Sequence, residues 1–448
     1  MSALRGYRHE WLALGLVAFC GLSFFPYIDT QEKSRFALAQ AIVEHRSLRI
    51  DEWQDQTIDK ARFDDHYYTD KAPGVSLLAV APVAGFHAIG ATSEKTGTDG
   101  VWIRDSLLWI LRVATGGVGF VLALFLVGRA VEAVSLGAGV GAATAFGLGT
   151  LALPFAATSF GHVLAGAVAF AAFLAALAAA TRRGAVLCLV SGLCAGAAVV
   201  VEYQTAIIVV LVAIYVLVRS RSRAFGLFAL GTLPGILVLA AYNQAAFGSP
   251  LHSSYGYEVG VFAHPQAQGF FGIGVPDLGA AGDALFSRRG LVTQSPVLIL
   301  EALGLVALLR GAHRLEAALC LAVFTAFVLL DAGYYDPFGG LSPGPRFVIP
   351  ALPFVAYGLA WALVRWPLLT LAATAISVAV MIYRTGTWSG SNFRTVWSLL
   401  GLPTVISAGA VVAAAVGAIM LSYRAVSEAR SDANMRSLAG RREGSLRQ

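Results

Sequence analysis

Residues 204–218 read QTAIIVVLVAIYVLV, residues 219–223 read RSRSR, and residues 225–243 read FGLFALGTLPGILVLAAYN. Two apolar runs without a charge thus flank a break that holds Arg219, Arg221 and Arg223. A helix needs about 20 mostly apolar residues to cross a hydrocarbon core of about 30 Å. Arginine between two such runs marks a loop on the inner side of the membrane. The pattern repeats along the chain. Segments suited to spanning fall near 11–27, 106–127, 133–155, 163–180, 185–201, 204–218, 225–243, 291–309, 315–332, 347–364, 366–383 and 402–421. Only 13% of the 448 residues are charged, against roughly 25% in a soluble domain. So little polar surface cannot coat a soluble body. The sequence predicts an all-α integral membrane protein with about twelve transmembrane helices. One polytopic domain covers 1–421, and 422–448 form a basic cytoplasmic tail.

The net charge of +6 invites comparison with a nucleic-acid binder. The arginines, however, sit in short breaks between apolar runs and in the tail from Arg424 to Arg447. Basic inner loops account for them, and no nucleic-acid partner is expected. The glycines of 137–141 lie inside an apolar run, with no preceding strand and no ribose-binding acid after them. They suit close helix packing in lipid, and nothing suggests a nucleotide site. Cys20, Cys188, Cys194 and Cys320 all lie in apolar runs and read as small buried hydrophobes rather than a disulfide or zinc set. The first apolar run ends in Phe24-Phe25-Pro26-Tyr27, which lacks a small-residue cleavage pattern, so it reads as a retained helix.

One apolar stretch, 74–90, is ambiguous. At about 1.5 Å per residue it reaches only about 25 Å, and it carries Pro82 and His87. Charge parity decides its placement. If it does not cross, and the N-terminus is inside, the breaks at Arg129, Arg182-Arg183, Arg219–Arg223, Arg310 with Arg314, Arg365 and the tail all fall inside. If it crosses, all of them flip. The stretch is therefore expected to lie in the outer interface. Residues 28–105 become one long outer loop, which holds every lysine of the chain: Lys33, Lys60, Lys71 and Lys95. Residues 244–290 and 333–346 are the other substantial outer segments, too rich in Gly and Pro for regular helix.

The outer segments carry the polar candidates. Asp29-Thr30-Gln31-Glu32-Lys33-Ser34-Arg35-Phe36 opens the first loop and leads into a helix to about His45. Asp29 with Glu32 three residues later fits a capping box, and equally fits a functional carboxylate at the membrane surface. Further on, His66-Tyr67-Tyr68-Thr69-Asp70-Lys71-Ala72-Pro73-Gly74 precedes the interfacial stretch. Lys71 there either snorkels to headgroups or faces an anionic group such as a lipid phosphate. His162, Glu202, Tyr203, Arg288, Arg289 and Arg346 stand at outer helix ends. The arginines either anchor headgroups or bind phosphate. Arg112 and Glu301 lie within helices, where ionisable groups face a cavity or each other.

Glu32 with Arg35-Phe36, followed some 35 residues later by Tyr68-Thr69-Asp70-Lys71-Ala72-Pro73, resembles the first loop of polyprenyl-phosphate-sugar-dependent glycosyltransferases of the GT-C superfold. Protein O-mannosyltransferases and lipid A aminoarabinose transferases, with their DExRY and YFEKPP patterns, are the nearest comparison. Later segments resemble stretches of bacterial members: Glu202-Tyr203, Tyr242-Asn243, Phe247-Gly248-Ser249-Pro250, Ser287–Leu291 and Gly344-Pro345-Arg346-Phe347. The likeness spans most of the chain as a pattern of helices and loops, with its motifs concentrated in 26–76.

The resemblance implies transfer of a sugar from a polyprenyl-phosphate donor to an acceptor hydroxyl, with inversion, on the outer face of the cell membrane. A first-loop carboxylate would take the hydroxyl proton. Anchored on Arg35-Phe36 that residue is Glu32. The family's usual residue is Asp and the following acid is here Lys33, so Asp29 stands as a rival. The pattern's lysine maps to Lys71 and its acid to Asp70, with Ala72 in place of the first proline. Lys71 with Arg288, Arg289 or Arg346 would stabilise the departing lipid phosphate. Arg35, Tyr68 and Tyr203 would line the substrate, and Asp70, His162 or Glu202 would contact acceptor or metal. Some relatives use a divalent metal ion, which makes one a candidate cofactor. Membrane lipids are the expected surroundings, and the acceptor is unassigned. The rival class is a transporter or flippase of a lipid-linked substrate. It expects midplane ionisable residues, such as Glu301, and interrupted helices at related positions in two halves.

Overall fold

The computed structural model describes residues 2–91, 105–182, 184–219, 222–388 and 393–445. Lys95, Arg183 and Arg221, used in the charge argument, lie outside the described residues. Helices α1 (Ser2–Ser23) and α2 (Thr30–His45) are followed by a short hairpin, β1 (Ala61–Phe63) and β2 (His66–Tyr68). Next come α3 (Gly74–Ala88), α4 (Asp105–Arg112), α5 (Val118–Val134), α6 (Gly139–Gly149), α7 (Gly161–Arg182), α8 (Ala185–Val201), α9 (Ala206–Arg219) and α10 (Ser222–Phe247). The longest helices beyond them are Val297–Leu308, Arg314–Gly333, Pro367–Thr387 and Thr404–Ser445.

Every apolar segment of the sequence falls wholly or partly on a helix. Among the described residues, six helices are long and apolar enough to cross a membrane. The number is eight if each of two bent pairs is one span: Leu278–Gln294 with Val297–Leu308 (96°), and Arg346–Ala356 with Leu359–Arg365 (56°). The remaining segments are shorter apolar helices, α3 among them. The chain is a multi-pass helical membrane protein.

Glycine sets the helix spacing where two helices must touch backbone to backbone. Gly192 and Gly196 on α8 face Gly231 and Gly235 on α10, and a Cβ on any of the four would strike the opposite backbone. This is the small-xxx-small packing that brings helices together in lipid. Every residue of α6 is buried; a helix apolar all round is at home only in the middle of a bundle.

The helix that carries the 402–421 segment runs on through the tail to Ser445, because Ala, Arg, Glu, Ser and Met continue it with no proline. One reading of the sequence changes. Within 244–290, which composition assigns to irregular chain, Leu278–Phe286 is helical; the Asp277 carboxylate caps it by accepting from Ala280 N at 2.7 Å.

α2, the hairpin and α3 form a second hydrophobic cluster beside the main bundle, with Phe25, Phe36, Trp53, Tyr68 and Phe247 among its buried residues. The polar residues of the first loop lie between this cluster and the helices.

Candidate active site

Asp29 caps α2. Its carboxylate accepts from Gln31 N at 2.9 Å, and Glu32 reaches back to accept from Asp29 N at 3.2 Å, closing a capping box. The two carboxylates then differ sharply in surroundings. Glu32 is fully buried. Arg112 donates from Nε to its Oε1 (2.9 Å) and from Nη2 to its Oε2 (2.6 Å), and Ser159 N donates to Oε1 at 2.8 Å. With the bond from Asp29 N, every favourable direction around this carboxylate is taken. Arg112 also donates to the carbonyls of Pro26 (2.8 Å) and Tyr27 (3.3 Å). The arginine that stood out within a helix is thus committed to tying α4 to the start of α2.

The Asp29 carboxylate accepts from the first-turn backbone N–H groups that it caps and remains partly accessible. Burial pushes its carboxyl above the ordinary aspartate range, and the nearby Arg346 guanidinium pulls the other way without cancelling the shift. Arg346 lies across the rings of Phe160 (5.4 Å) and Phe347 (5.3 Å). Its buried Nε has no hydrogen-bond partner.

The hairpin brings in an acid that motif reasoning passed over. Asp64 and Asp65 turn the chain in left-handed conformation, with φ of 49° and 61°, as a two-residue hairpin turn requires. The register pairs Ala61 with Tyr68; continued two residues, it sets Asp59 opposite Asp70. Lys71 Nζ bridges the two, 2.7 Å from Asp59 Oδ1 and 2.6 Å from Asp70 Oδ2. Thr30 also donates to Asp59. Burial opposes the charge on Asp59, but Lys71 and Thr30 hold its pKa below the ordinary value. Burial likewise opposes the charge on Lys71, and the two carboxylates more than offset it, so its pKa is raised.

Glu258 was also missed. The loop after α10 bridges the hairpin edge, with Glu258 beside Ala61 and Val259 N donating to Lys60 O at 3.2 Å. This sets the Glu258 carboxyl against that of Asp70. Two buried oxygens, Asp70 Oδ1 and Glu258 Oε2, find no donor. Acceptors can face each other in this way when the pair shares a proton. Burial and the Asp70 charge push Glu258 up to about 8, and burial raises Asp70 despite Lys71.

A third group closes the chamber. Arg35 Nη2 donates to Glu202 Oε1 at 2.6 Å, both side chains being buried. His162 Nδ1 lies 3.7 Å from the same oxygen. Arg35 keeps Nε and Nη1 unpaired, and His162 keeps Nε2 unpaired. Asp331, buried with both carboxylate oxygens unpaired, lies within the electrostatic reach of Arg346. It sits inside an apolar helix and carries no motif, which is why the sequence gives no hint of it. Tyr203 packs edge-on against Tyr255.

Asp29, Asp59, Asp70, Lys71, His162, Glu202, Arg35 and Arg346 therefore share one largely buried polar chamber, joined by these bonds and by the charge interactions of Arg346 with Asp29, Asp59 and His162. Tyr68 stays in the hydrophobic cluster, 5.3 Å from the Phe247 ring. Arg289 donates to Gly340 O (2.7 Å) and Ser342 O and stacks on Phe338, so it pins the 333–346 segment. Arg288 is exposed. Among the described residues neither side chain bonds to the chamber.

The chamber does not fit a divalent metal at the Asp59–Asp70 gap, because the Lys71 ammonium fills it. Among the described residues, one group of His, Asp, Glu or Cys has its donor atoms within 4.8 Å of one another: Glu44, His45 and Glu52, exposed at the far end of α2. These already pair with one another and with His87, as a solvated charge cluster does.

Neither a protein-family model nor a curated protein matches the chain. Among solved structures, ArnT from Cupriavidus metallidurans bound to undecaprenyl phosphate superposes with a TM-score of 0.52 at 14% identity, over 94% of this chain and 76% of that one. The chain has the GT-C fold. AglB, the archaeal oligosaccharyltransferase from Archaeoglobus fulgidus, in complex with an inhibitory peptide and a dolichol-phosphate, scores 0.48 at 13% identity over 86% of this chain and 56% of that one. At that score it adds nothing to the assignment. In this GT-C chain the polar chamber is built by the first loop, the α8–α9 junction and the segment starting at Arg346.

Proposed function

We propose that the protein is a glycosyltransferase that moves a sugar from a polyprenyl-phosphate carrier to an acceptor hydroxyl, with the chamber opening on the extracytoplasmic side of the cell membrane. The observation that carries the reading is that Asp29, a partly accessible carboxylate, and Arg346, a guanidinium with an unpaired buried N–H, lie close enough to interact in one chamber. A base and an anion clamp in one chamber are what displacement of a lipid phosphate by a hydroxyl needs. The structure of a GT-C protein with undecaprenyl phosphate supports the choice of carrier.

The base in this reading is Asp29 rather than Glu32. General-base work needs a lone pair free to meet the incoming proton, and those of Glu32 are spent on Arg112, Ser159 and the α2 cap. Asp29 would take the acceptor proton as the hydroxyl oxygen attacks the anomeric carbon and the glycosyl–phosphate bond breaks. Arg346 would bind the departing phosphate, with Arg35 and Lys71 adding positive potential. Lys71 contributes at a distance, its donors being engaged by Asp59 and Asp70. The inversion follows from a single displacement.

The test uses the full-length protein purified in nanodiscs, a panel of undecaprenyl-phosphate sugars and a pool of envelope lipids and glycans as hydroxyl acceptors, with free undecaprenyl phosphate measured over time. Release from at least one donor, dependent on the protein, is expected. Absence of release from every donor, with bound donor demonstrated, would remove the enzymatic reading and favour the transporter class.

A further inference from the structure

Between the helices Pro367–Thr387 and Thr404–Ser445 lies a groove of about 480 Å³, lined among others by Leu371, Ala372, Met420, Tyr423 and Arg424. The volume falls within the roughly 300–1,000 Å³ typical of small-molecule sites. Both helices are long and apolar enough to cross a membrane, and Leu368 and Met420 of the lining are exposed. The groove therefore opens toward lipid. Its lining is apolar apart from the Tyr423 hydroxyl and Arg424, the one charged residue in it.

Further arginines gather at the same end. Arg430, less than two turns beyond Arg424, donates from Nη2 to Val364 O at 3.5 Å, and Arg365 is the next residue after Val364. All three side chains are exposed, and among the described residues none forms an ion pair. The acids nearest in sequence, Glu428 and Asp432, stand one and two turns beyond Arg424. Trp366 and Tyr423, both exposed, flank the arginines, and the Trp366 ring rests edge-on against Trp361 at 4.8 Å. Tryptophan and tyrosine with arginine mark the level where headgroups begin. Arginine spacing assigns this end of the bundle to the inner leaflet, whose anionic headgroups attract basic residues.

We propose that this groove is a binding site for an anionic phospholipid, with an acyl chain along Leu371, Ala372 and Met420 and the headgroup phosphate on Arg424. The chain alone gives no preference, because lipid tails are as apolar as the groove. Selection falls to the head, where a guanidinium can meet two phosphate oxygens at once. Arg365 and Arg430 add positive charge that an anionic head satisfies. A zwitterionic head would bring its own cation to the same cluster. A second copy of the chain docked here by two-fold symmetry would set the two arginine clusters against each other. The proposal stands on these residues alone and holds whether or not the protein transfers a sugar.

Native mass spectrometry of the full-length protein tests it, with phosphatidylglycerol and phosphatidylcholine of identical acyl chains as probes. The wild type should retain phosphatidylglycerol over phosphatidylcholine by about fivefold or more, the scale of one basic residue at an anionic surface. Arg424→Gln changes an exposed side chain and should bring the two lipids near parity. Ala372→Trp and Leu368→Trp each fill the groove from an exposed position and should weaken phosphatidylglycerol retention by a similar factor. Melting temperatures in phosphatidylcholine nanodiscs within a few degrees of wild type show that the variants fold. Equal retention of both lipids by the wild type, or an unchanged preference in Arg424→Gln, overturns the proposal. So does full phosphatidylglycerol retention in a folded groove-filling variant. A protein dimer that either tryptophan variant abolishes would give the groove to a second copy and overturn it as well.

Discussion

Asp29 and Glu32 are three residues apart, and the capping-box spacing was plain in the sequence. The difference in their surroundings was not. It depends on Arg112 and on Ser159 N, which reach Glu32 across 80 and 127 residues of chain, and no local pattern reports such distances. Arg346 was legible as a cation at a helix start. Its separation from Arg288 and Arg289, which look equivalent in sequence, comes from the loop that Arg289 pins. These placements give a prediction for phosphate binding. Arg346→Ala should weaken undecaprenyl-phosphate affinity by about 10- to 100-fold, the worth of a hydrogen bond to a charged group at about 1.5–3 kcal/mol. Arg346→Lys should recover only part, since a lysine cannot span Phe160 and Phe347 as a planar guanidinium does. Unchanged affinity in Arg346→Ala, measured by fluorescence quenching or calorimetry in nanodiscs, would remove this residue from the site.

At the scale of elements, apolar helices were legible because lipid forces each spanning segment to satisfy its own backbone. The π-helical segment Val113–Gly117 was not. It follows Arg112 where Gly116 packs so closely on the Thr158 carbonyl that no Cβ fits, a contact between distant segments. The hairpin carried a turn signal in Asp64-Asp65, and its register would have pointed to Asp59. The link from the loop after α10 to the hairpin had no local signature. That link should be sensitive to pH. Glu258 has an ordinary pKa of 4.5 and a folded value of about 8, so between these limits the folded state binds the proton more tightly than the unfolded one. Stability contributed by the protonated pair is fully present below about 4.5 and falls as pH rises toward about 8. The groups facing Glu258 are Asp70, Lys71 and Asp59. The melting temperature should therefore drop between pH 6 and 8.5, and Glu258→Gln should flatten the dependence. An identical slope in the variant would exclude Glu258 as its source.

For the whole molecule, the class was written in composition and in the spacing of arginines, and the GT-C arrangement in the motifs of the first loop. The chamber itself was less legible, because three carboxylates in it or beside it, Asp59, Glu258 and Asp331, stand outside any motif and arrive by folding. Arginine parity predicts the sidedness. In a protein with Cys20, Cys188, Cys194 and Cys320 replaced, Arg62→Cys on the exposed hairpin should react with impermeant reagent only from outside, and Gly311→Cys only from inside. Labelling of both from one side would break the proposed topology. The most direct test of the central claim is a single-turnover comparison on whichever undecaprenyl-phosphate sugar the protein cleaves. Asp29→Asn retains an N-cap side chain and loses basicity, so release of undecaprenyl phosphate should slow by roughly 10² to 10⁴ with donor affinity little changed. Glu32→Gln should reduce the yield of folded protein, because Arg112 loses its buried counter-charge at a cost of about 3–5 kcal/mol. The fraction that folds should turn over within a few-fold of wild type. A wild-type rate in folded Asp29→Asn, with the rate lost in folded Glu32→Gln, would contradict the account.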